Sequence, residues 1–121
     1  MAYSAPTNFL VAPELAEGYT ATIGSTGVTA DEHGRKIIPG GTPVSGDNFL
    51  LDGTVVLQPA KSSDTNIVGV LSSDVDVTAG NLDATVYVAG TINLSALSSD
   101  LQALYTDAVT KQLPHVIFVK R

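Results

Sequence analysis

Three segments in the middle of the chain decide the fold: Ile67–Leu71 (IVGVL), Asp74–Val77 (DVDV) and Ala84–Ile92 (ATVYVAGTI). The first is apolar on both faces, which is typical of a fully buried strand, so we expect it to be central in a sheet. The second alternates aspartate with valine, and residues 78–81 (TAGN) supply a turn into the third. This order predicts a buried strand followed by a β-hairpin.

Turn residues delimit further strands on either side of this region. The tripeptide at positions 39–41 (PGG) closes a predicted short strand at Lys36–Ile38, because proline presets one turn dihedral and glycine supplies a positive one. The dipeptide Asp52-Gly53 is the signature of a tight hairpin, and it predicts that Phe49–Leu51 pairs with Thr54–Leu57. Other predicted strands are Tyr19–Ile23 and Val116–Val119.

One helix is predicted, at residues 99–111. Ser99 is the expected N-cap, and Gln102, three residues further on, completes a capping box. The apolar residues at i, i+3, i+4 and i+7 form a single stripe: Leu101, Leu104, Tyr105 and Ala108. Because Pro114 prevents continuation, we expect one short C-terminal helix that rests on the sheet.

The composition supports a mainly β protein with one domain. Thr, Val and Ile make up 33 of the 121 residues, and these β-branched side chains lose less freedom in a strand than against a helical turn. With 44% hydrophobic residues, the chain buries enough apolar surface to offset the entropy of ordering. We predict a small β-sandwich or partly open barrel over residues 19–121, with the short C-terminal helix.

Residues 1–18 are predicted to form an extended N-terminal arm. Pro6 and Pro13 cannot donate to a strand ladder, and the segment shows no helical period. Burial of Phe9, Leu10 and Val11 does not by itself offset the entropy of ordering the arm, but addition as a strand to another chain's sheet gains main-chain hydrogen bonds. The alternatives are a disordered terminus or a strand of the domain's own sheet.

Charge and hydropathy exclude several kinds of partner. Twelve acidic and six basic residues give a net charge of -6, the wrong sign for binding nucleic acid or an anionic lipid surface. The longest apolar runs, Phe9–Ala12 and Val116–Val119, are far shorter than the roughly 20 residues of a membrane-spanning helix. No Lys or Arg precedes Arg35, so we expect a soluble protein without a signal peptide.

The sequence presents no constellation that calls for catalysis. Asp74, Asp76 and Asp83 could gather around a hard cation, but their spacing does not match an EF-hand loop, and solvated edge charges are the favoured interpretation. His33 and His115 lack a second ligand at metal-binding spacing, and the chain has no cysteine. We therefore predict no metal, no cofactor and no enzymatic activity.

Several of these segments together resemble the small head decoration proteins of tailed bacteriophages. The likeness lies in Ile67–Leu71, in Asp74–Val77 with Gly80, and in Val86–Asn93 (VYVAGTIN). Ile38–Val44 (IPGGTPV) and Pro114–Phe118 (PHVIF) add to it. The resemblance covers roughly residues 35–121, and it is similar in style to the capsid-binding domains of phage head-fibre proteins.

The resemblance implies a non-enzymatic virion structural protein, made in the bacterial host cytoplasm, that binds the outer surface of the phage capsid and cements capsomers. Its implied partners are the major capsid protein and itself, as a homotrimer at local three-fold positions. The arm is then the anchor, with Tyr3, Phe9, Leu10 and Val11 as expected capsid-binding residues. The alternative is a head-fibre or a receptor- or carbohydrate-binding surface module, although the chain has no Trp and only four Tyr.

Overall fold

The computed structural model describes residues 10–11, 16–25, 28–47, 49, 51–61 and 63–120. Two α-helices lie in this part of the chain, α1 (Ser99–Leu104) and α2 (Asp107–Thr110), after a 3-10 turn at Leu94–Ala96. Its nine strands are β1 (Leu10–Val11), β2 (Glu17–Ile23), β3 (Ile37–Ile38), β4 (Pro43–Ser45), β5 (Val56–Pro59), β6 (Ile67–Leu71), β7 (Val75–Asp76), β8 (Leu82–Asn93) and β9 (Val116–Val119). The predicted mainly β class is confirmed.

Five of the strands close into a barrel. Around the ring, β8 pairs with β2, β2 with β5, β5 with β4, β4 with β6, and β6 again with β8. The β2–β5 pair is parallel and the other four pairs are antiparallel. Closure leaves no unpaired edge within the ring, so the predicted barrel is closed rather than partly open.

Strand β8 is twelve residues long and belongs to two sheets. Its first part, Leu82–Ala89, pairs with β2 in the barrel. From Gly90 onward it is the central strand of a second sheet, with β9 parallel on one side and β1 antiparallel on the other. Gly90 has a φ of 139°, which glycine adopts without a steric penalty. The strand therefore changes sheets at a residue suited to the bend.

Two hydrophobic cores result from this arrangement. The barrel interior contains side chains from all five barrel strands: Ala21, Ile23, Val44, Leu57, Leu71 and Val86. The second core lies between the second sheet and the helices and contains Leu10, Ile92, Leu101, Tyr105, Val109 and Val116. Ile67 and Val70 of β6 also belong to the second core, so the barrel wall is common to both cores.

Leu10 and Val11 form a strand of the domain's own sheet. Leu10 pairs with Ile92 and Val11 with Thr91, and the Leu10 side chain is buried in the second core. At these two residues the chain is therefore a strand of the domain's own sheet and not part of an independent arm, because β8 supplies their backbone partners and the second core covers Leu10. Tyr3 and Phe9 lie outside the described residues.

Of three predictions about the arrangement of the strands, one is correct and two are wrong. As predicted, β6 is central, since it lies between β4 and β8. The predicted hairpin of β7 with β8 is wrong, because β7 pairs with β3 and its Val75 packs into the barrel core. The predicted hairpin at Asp52-Gly53 is also wrong. The Asp52 carboxylate accepts a hydrogen bond from the Thr54 amide, a local turn that competes with strand pairing, and β5 pairs with β2 and β4 instead.

The predicted single helix is interrupted, and its cap is one residue earlier than expected. Ser98, not Ser99, is the N-cap, and its hydroxyl accepts from the Leu101 amide. The first helix ends at Tyr105, whose ψ is 70° and whose buried hydroxyl donates to the Gly41 carbonyl. The break brings both Tyr105 and Val109 into the second core, whereas Ala108, predicted in the stripe, is exposed.

Replacing Gly90 with alanine should lower the free energy of unfolding by about 1–3 kcal/mol, the usual cost of a sparsely populated backbone conformation. Its φ of 139° is unfavourable for any residue with a Cβ, and the added Cβ would lie 3.2 Å from that of Ala16. Urea denaturation measures the change. The control is Gly53→Ala, where an added Cβ meets nothing within 4 Å; equal stability of the two variants would contradict the role given to Gly90.

Candidate binding site

A cleft of about 510 Å³ opens where β8 passes from the barrel into the second sheet. The β6 ladder reaches β8 at Val70–Tyr87, and the β9 ladder begins at Gly90. Val88 and Ala89 lie between the two ladders and line the opening, which we call the β8 cleft. Its volume lies within the range of about 300–1,000 Å³ that is typical of ligand pockets.

The walls of the β8 cleft are largely apolar and are fixed by hydrogen bonds. Ile67 and Val68 of β6 line the cleft together with Leu113, which lies before β9. The Gln112 side chain connects this segment to the start of β6, since its Oε1 accepts from the Ile67 amide at 2.9 Å and its Nε2 donates to the Asp64 carbonyl at 2.8 Å. A wall held in this way is preorganised, which reduces the entropy lost when a ligand binds.

The polar groups of the cleft come from the start of β2 and from the loop before β9. Glu17 and Tyr19 belong to β2, and His115 belongs to the loop before β9. The Tyr19 hydroxyl donates to Glu17 Oε2 at 2.9 Å, and this hydrogen bond raises the pKa of Tyr19 because it favours the protonated phenol. Among the described residues, the hydrogen bond found at the Glu17 side chain is this one. Within the described residues the ion pair found is His33–Glu32, so no basic side chain among them neutralises Glu17.

The three aspartates considered as cation ligands have separate structural roles. Asp74 accepts from the Gly40 amide at 2.8 Å, and Asp76 accepts from the Thr78 amide at 3.0 Å. Asp83 accepts from the Thr22 hydroxyl at 2.8 Å, across the β2–β8 pair. In the part of the chain that the structure describes, no three acidic or histidine side chains are arranged to hold a metal ion.

Sequence reasoning missed the β8 cleft. Its lining comes from four segments that are distant in the sequence, around Glu17, Ile67, Val88 and Gln112. None of them carries a recognisable binding motif. The available signal was Gly90 inside a strand pattern, since an isolated glycine there indicates a bend or a close approach of the backbone.

Comparisons with known proteins give no family assignment. No protein-family model matches the chain, and a search of curated proteins found no significant match. Among the helices that the structure describes, none has the length and apolar character needed to cross a bilayer.

Acid should destabilise the protein through two similar turns. Hydrogen bonds from the Thr54 and Thr78 hydroxyls, reinforced by the amides of the same residues, hold the pKa values of Asp52 and Asp76 below their ordinary value of 3.8. Because the folded pKa is lowered, the stabilisation is present above pH 3.8 and is lost as the pH falls through the folded value. Urea denaturation from about pH 5 to pH 2 should show this loss.

The matched variant for this test is the double substitution Thr54→Val and Thr78→Val, which removes both hydroxyl donors. Its free energy of unfolding should fall by less than that of the parent protein between about pH 5 and pH 2. An identical decline in the two proteins would show that these turns do not contribute to the acid sensitivity.

Proposed function

We propose that the protein is a non-enzymatic decoration protein of a tailed-phage head, which binds the outer surface of the capsid and cements neighbouring capsomers. The observation that carries the proposal is the position of the segments that resemble this family. Ile67–Leu71 is β6, Val86–Asn93 lies within β8, and Ile38–Val44 leads from β3 into β4. These strands are direct neighbours, since β4 pairs with β6 and β6 with β8, so three of the five segments that carry the resemblance are adjacent in the fold.

The attachment mechanism that we propose uses the residues before β1. Leu10 is held in the second core by its pairing with Ile92, so we restrict the proposed anchor to Tyr3 and Phe9. Residues 1–9, if extended, span about 30 Å. That reach is sufficient for addition of a strand to a sheet edge on a capsid subunit.

The proposed assembly on the capsid is a homotrimer at local three-fold positions. Only 15% of the residues are charged, a composition that suits permanent contact with other proteins. Once one arm of a trimer has bound, the linkage raises the effective concentration of the other two arms. Weak individual contacts thereby become tight attachment, provided that all three engage together.

The test of the cementing function is the thermal rupture of phage heads. Heads of the encoding phage that lack the protein are heated with and without an excess of it, and release of packaged DNA is followed with a fluorescent dye. The proposal predicts a higher rupture temperature in the presence of the protein. Unchanged rupture of fully decorated heads would contradict cementing, and glycan or receptor binding by the free protein in its place would favour a surface-recognition module.

A further inference from the structure

We propose that the β8 cleft binds a lysine side chain presented by an extended segment of a protein partner. The inference is independent of the proposed role on the phage head, because it concerns the recognition chemistry of the free protein. It rests on the combination of an apolar channel, a carboxylate at its side and an aromatic ring beside that carboxylate.

The apolar part of the cleft fits the aliphatic stem of lysine. Val68 and Val88 are half-buried and line the cleft, as does the buried Leu113. Lysine buries its methylene groups along such a surface while its charged end remains beside polar groups. A flexible neutral ligand would fit the same apolar surface, so the charge beside the cleft decides between lysine and a neutral ligand.

Glu17 supplies the charge complementarity. The protein carries a net charge of -6, and Glu17 has no basic partner among the described residues. Tyr19, with 45% of its surface exposed, presents a ring against which a cation is attracted by the aromatic quadrupole. An ammonium group at this position therefore contacts both the Glu17 carboxylate and an aromatic ring.

The hydrogen bond between Tyr19 and Glu17 favours lysine over arginine. Because Glu17 Oε2 already accepts from the Tyr19 hydroxyl at 2.9 Å, a ligand that contacts both carboxylate oxygens must share Oε2 with the phenol. The guanidinium group of arginine forms its strongest contacts in a two-pronged geometry that uses both oxygens. Lysine acts as a compact point charge and needs only one of them.

The experiment titrates the full-length protein with three capped peptides, acetyl-Gly-Val-Xaa-Val-Gly-amide, in which Xaa is lysine, arginine or norleucine. Chemical-shift changes of the Val68, Val88 and Ala89 methyl groups report occupancy of the cleft. The lysine peptide is expected to bind most tightly, with the norleucine peptide weaker by about three- to tenfold, the range between an exposed and a partly desolvated charge pair. Equal affinity of these two peptides, shifts confined to other residues or no binding of the lysine peptide would overturn the proposal.

Two variants separate the charge from the fold. Glu17→Gln should reduce the affinity for the lysine peptide to that for norleucine, and its melting temperature should stay the same because the side chain is exposed. Glu32→Gln removes another exposed carboxylate, on a turn that does not line the cleft, and should leave binding unchanged. Tyr19→Phe removes the hydroxyl that occupies Glu17 Oε2, so the preference for lysine over arginine should narrow. The inference would also be contradicted if the Glu17→Gln variant still preferred the lysine peptide to the norleucine peptide. Occupation of the cleft by a second copy of the chain at high concentration would contradict it as well.

Discussion

Deleting residues 2–9 is expected to abolish attachment to phage heads and to leave the melting temperature of the free protein almost unchanged. The deletion removes the proposed anchor. It leaves Leu10, the next residue, in the second core. Phe9→Ala alone removes about 2–3 kcal/mol of apolar burial per arm, or about 30- to 150-fold in affinity. Three linked arms multiply that loss.

The measurement is occupancy of purified heads by each variant, with a thermal melt of each free protein. Leu10→Ala is the matched control, because it alters a neighbouring apolar residue that packs inside the domain and should lower the melting temperature. Heads that take up the truncated protein as well as the intact one would show that residues 2–9 are not the anchor. A truncated protein that unfolds would show that these residues belong to the domain.

Replacing Ile92 with alanine should lower the free energy of unfolding by about 2–5 kcal/mol, the usual cost of truncating a large side chain in a core. Ile92 is 1% exposed, lies between β1 and β9 and belongs to the core that the helices cover. Domains are stable by only about 5–15 kcal/mol, so this single substitution removes a large share of the total.

Ile117→Ala is the matched control for the Ile92 substitution. It makes the same chemical change on the neighbouring strand, at a side chain that is 61% exposed, and should alter the free energy of unfolding by no more than about 0.5 kcal/mol. Urea denaturation of both variants gives the comparison. Equal losses at the two positions would contradict the assignment of Ile92 to the core and Ile117 to the surface.

Local sequence patterns predicted the strands better than they predicted the partners of the strands. The apolar run at Ile67–Leu71 indicated a buried central strand, because burial on both faces is visible in the side chains themselves. The pairing of β7 with β3 was not visible in this way, since it depends on Ile38 and Val75 meeting in the barrel core. Sequence neighbours favour a hairpin, but packing of distant residues decided the outcome.

The helical region shows how packing overrides local signals. The stripe of residues 101–108 has continuous helical spacing, yet the helix ends at Tyr105. The tyrosine hydroxyl donates to the Gly41 carbonyl, its ring lies 5.1 Å from that of Phe118, and burial raises the pKa of the phenol. Contacts with residues far away in the sequence compensate for the interrupted backbone ladder, and no local pattern contains them.

The candidate site was harder to predict than the fold. Sequence patterns place Glu17 in the predicted arm and Tyr19 in a predicted strand, whereas Gln112 and His115 follow the predicted helix. Only the closed barrel, with β8 extending beyond it into a second sheet, brings them around one cleft. Their residue types are common on protein surfaces, so proximity in space carries the information.

The most direct test of the central claim is a binding titration of the purified protein against undecorated heads of the encoding phage. Bound protein is separated by sedimentation and counted against the major capsid protein. The account predicts saturable binding, with three copies at each local three-fold position when all sites are full. Absence of binding, or uptake that rises without saturation at protein concentrations well above those of the heads, would contradict the proposed function.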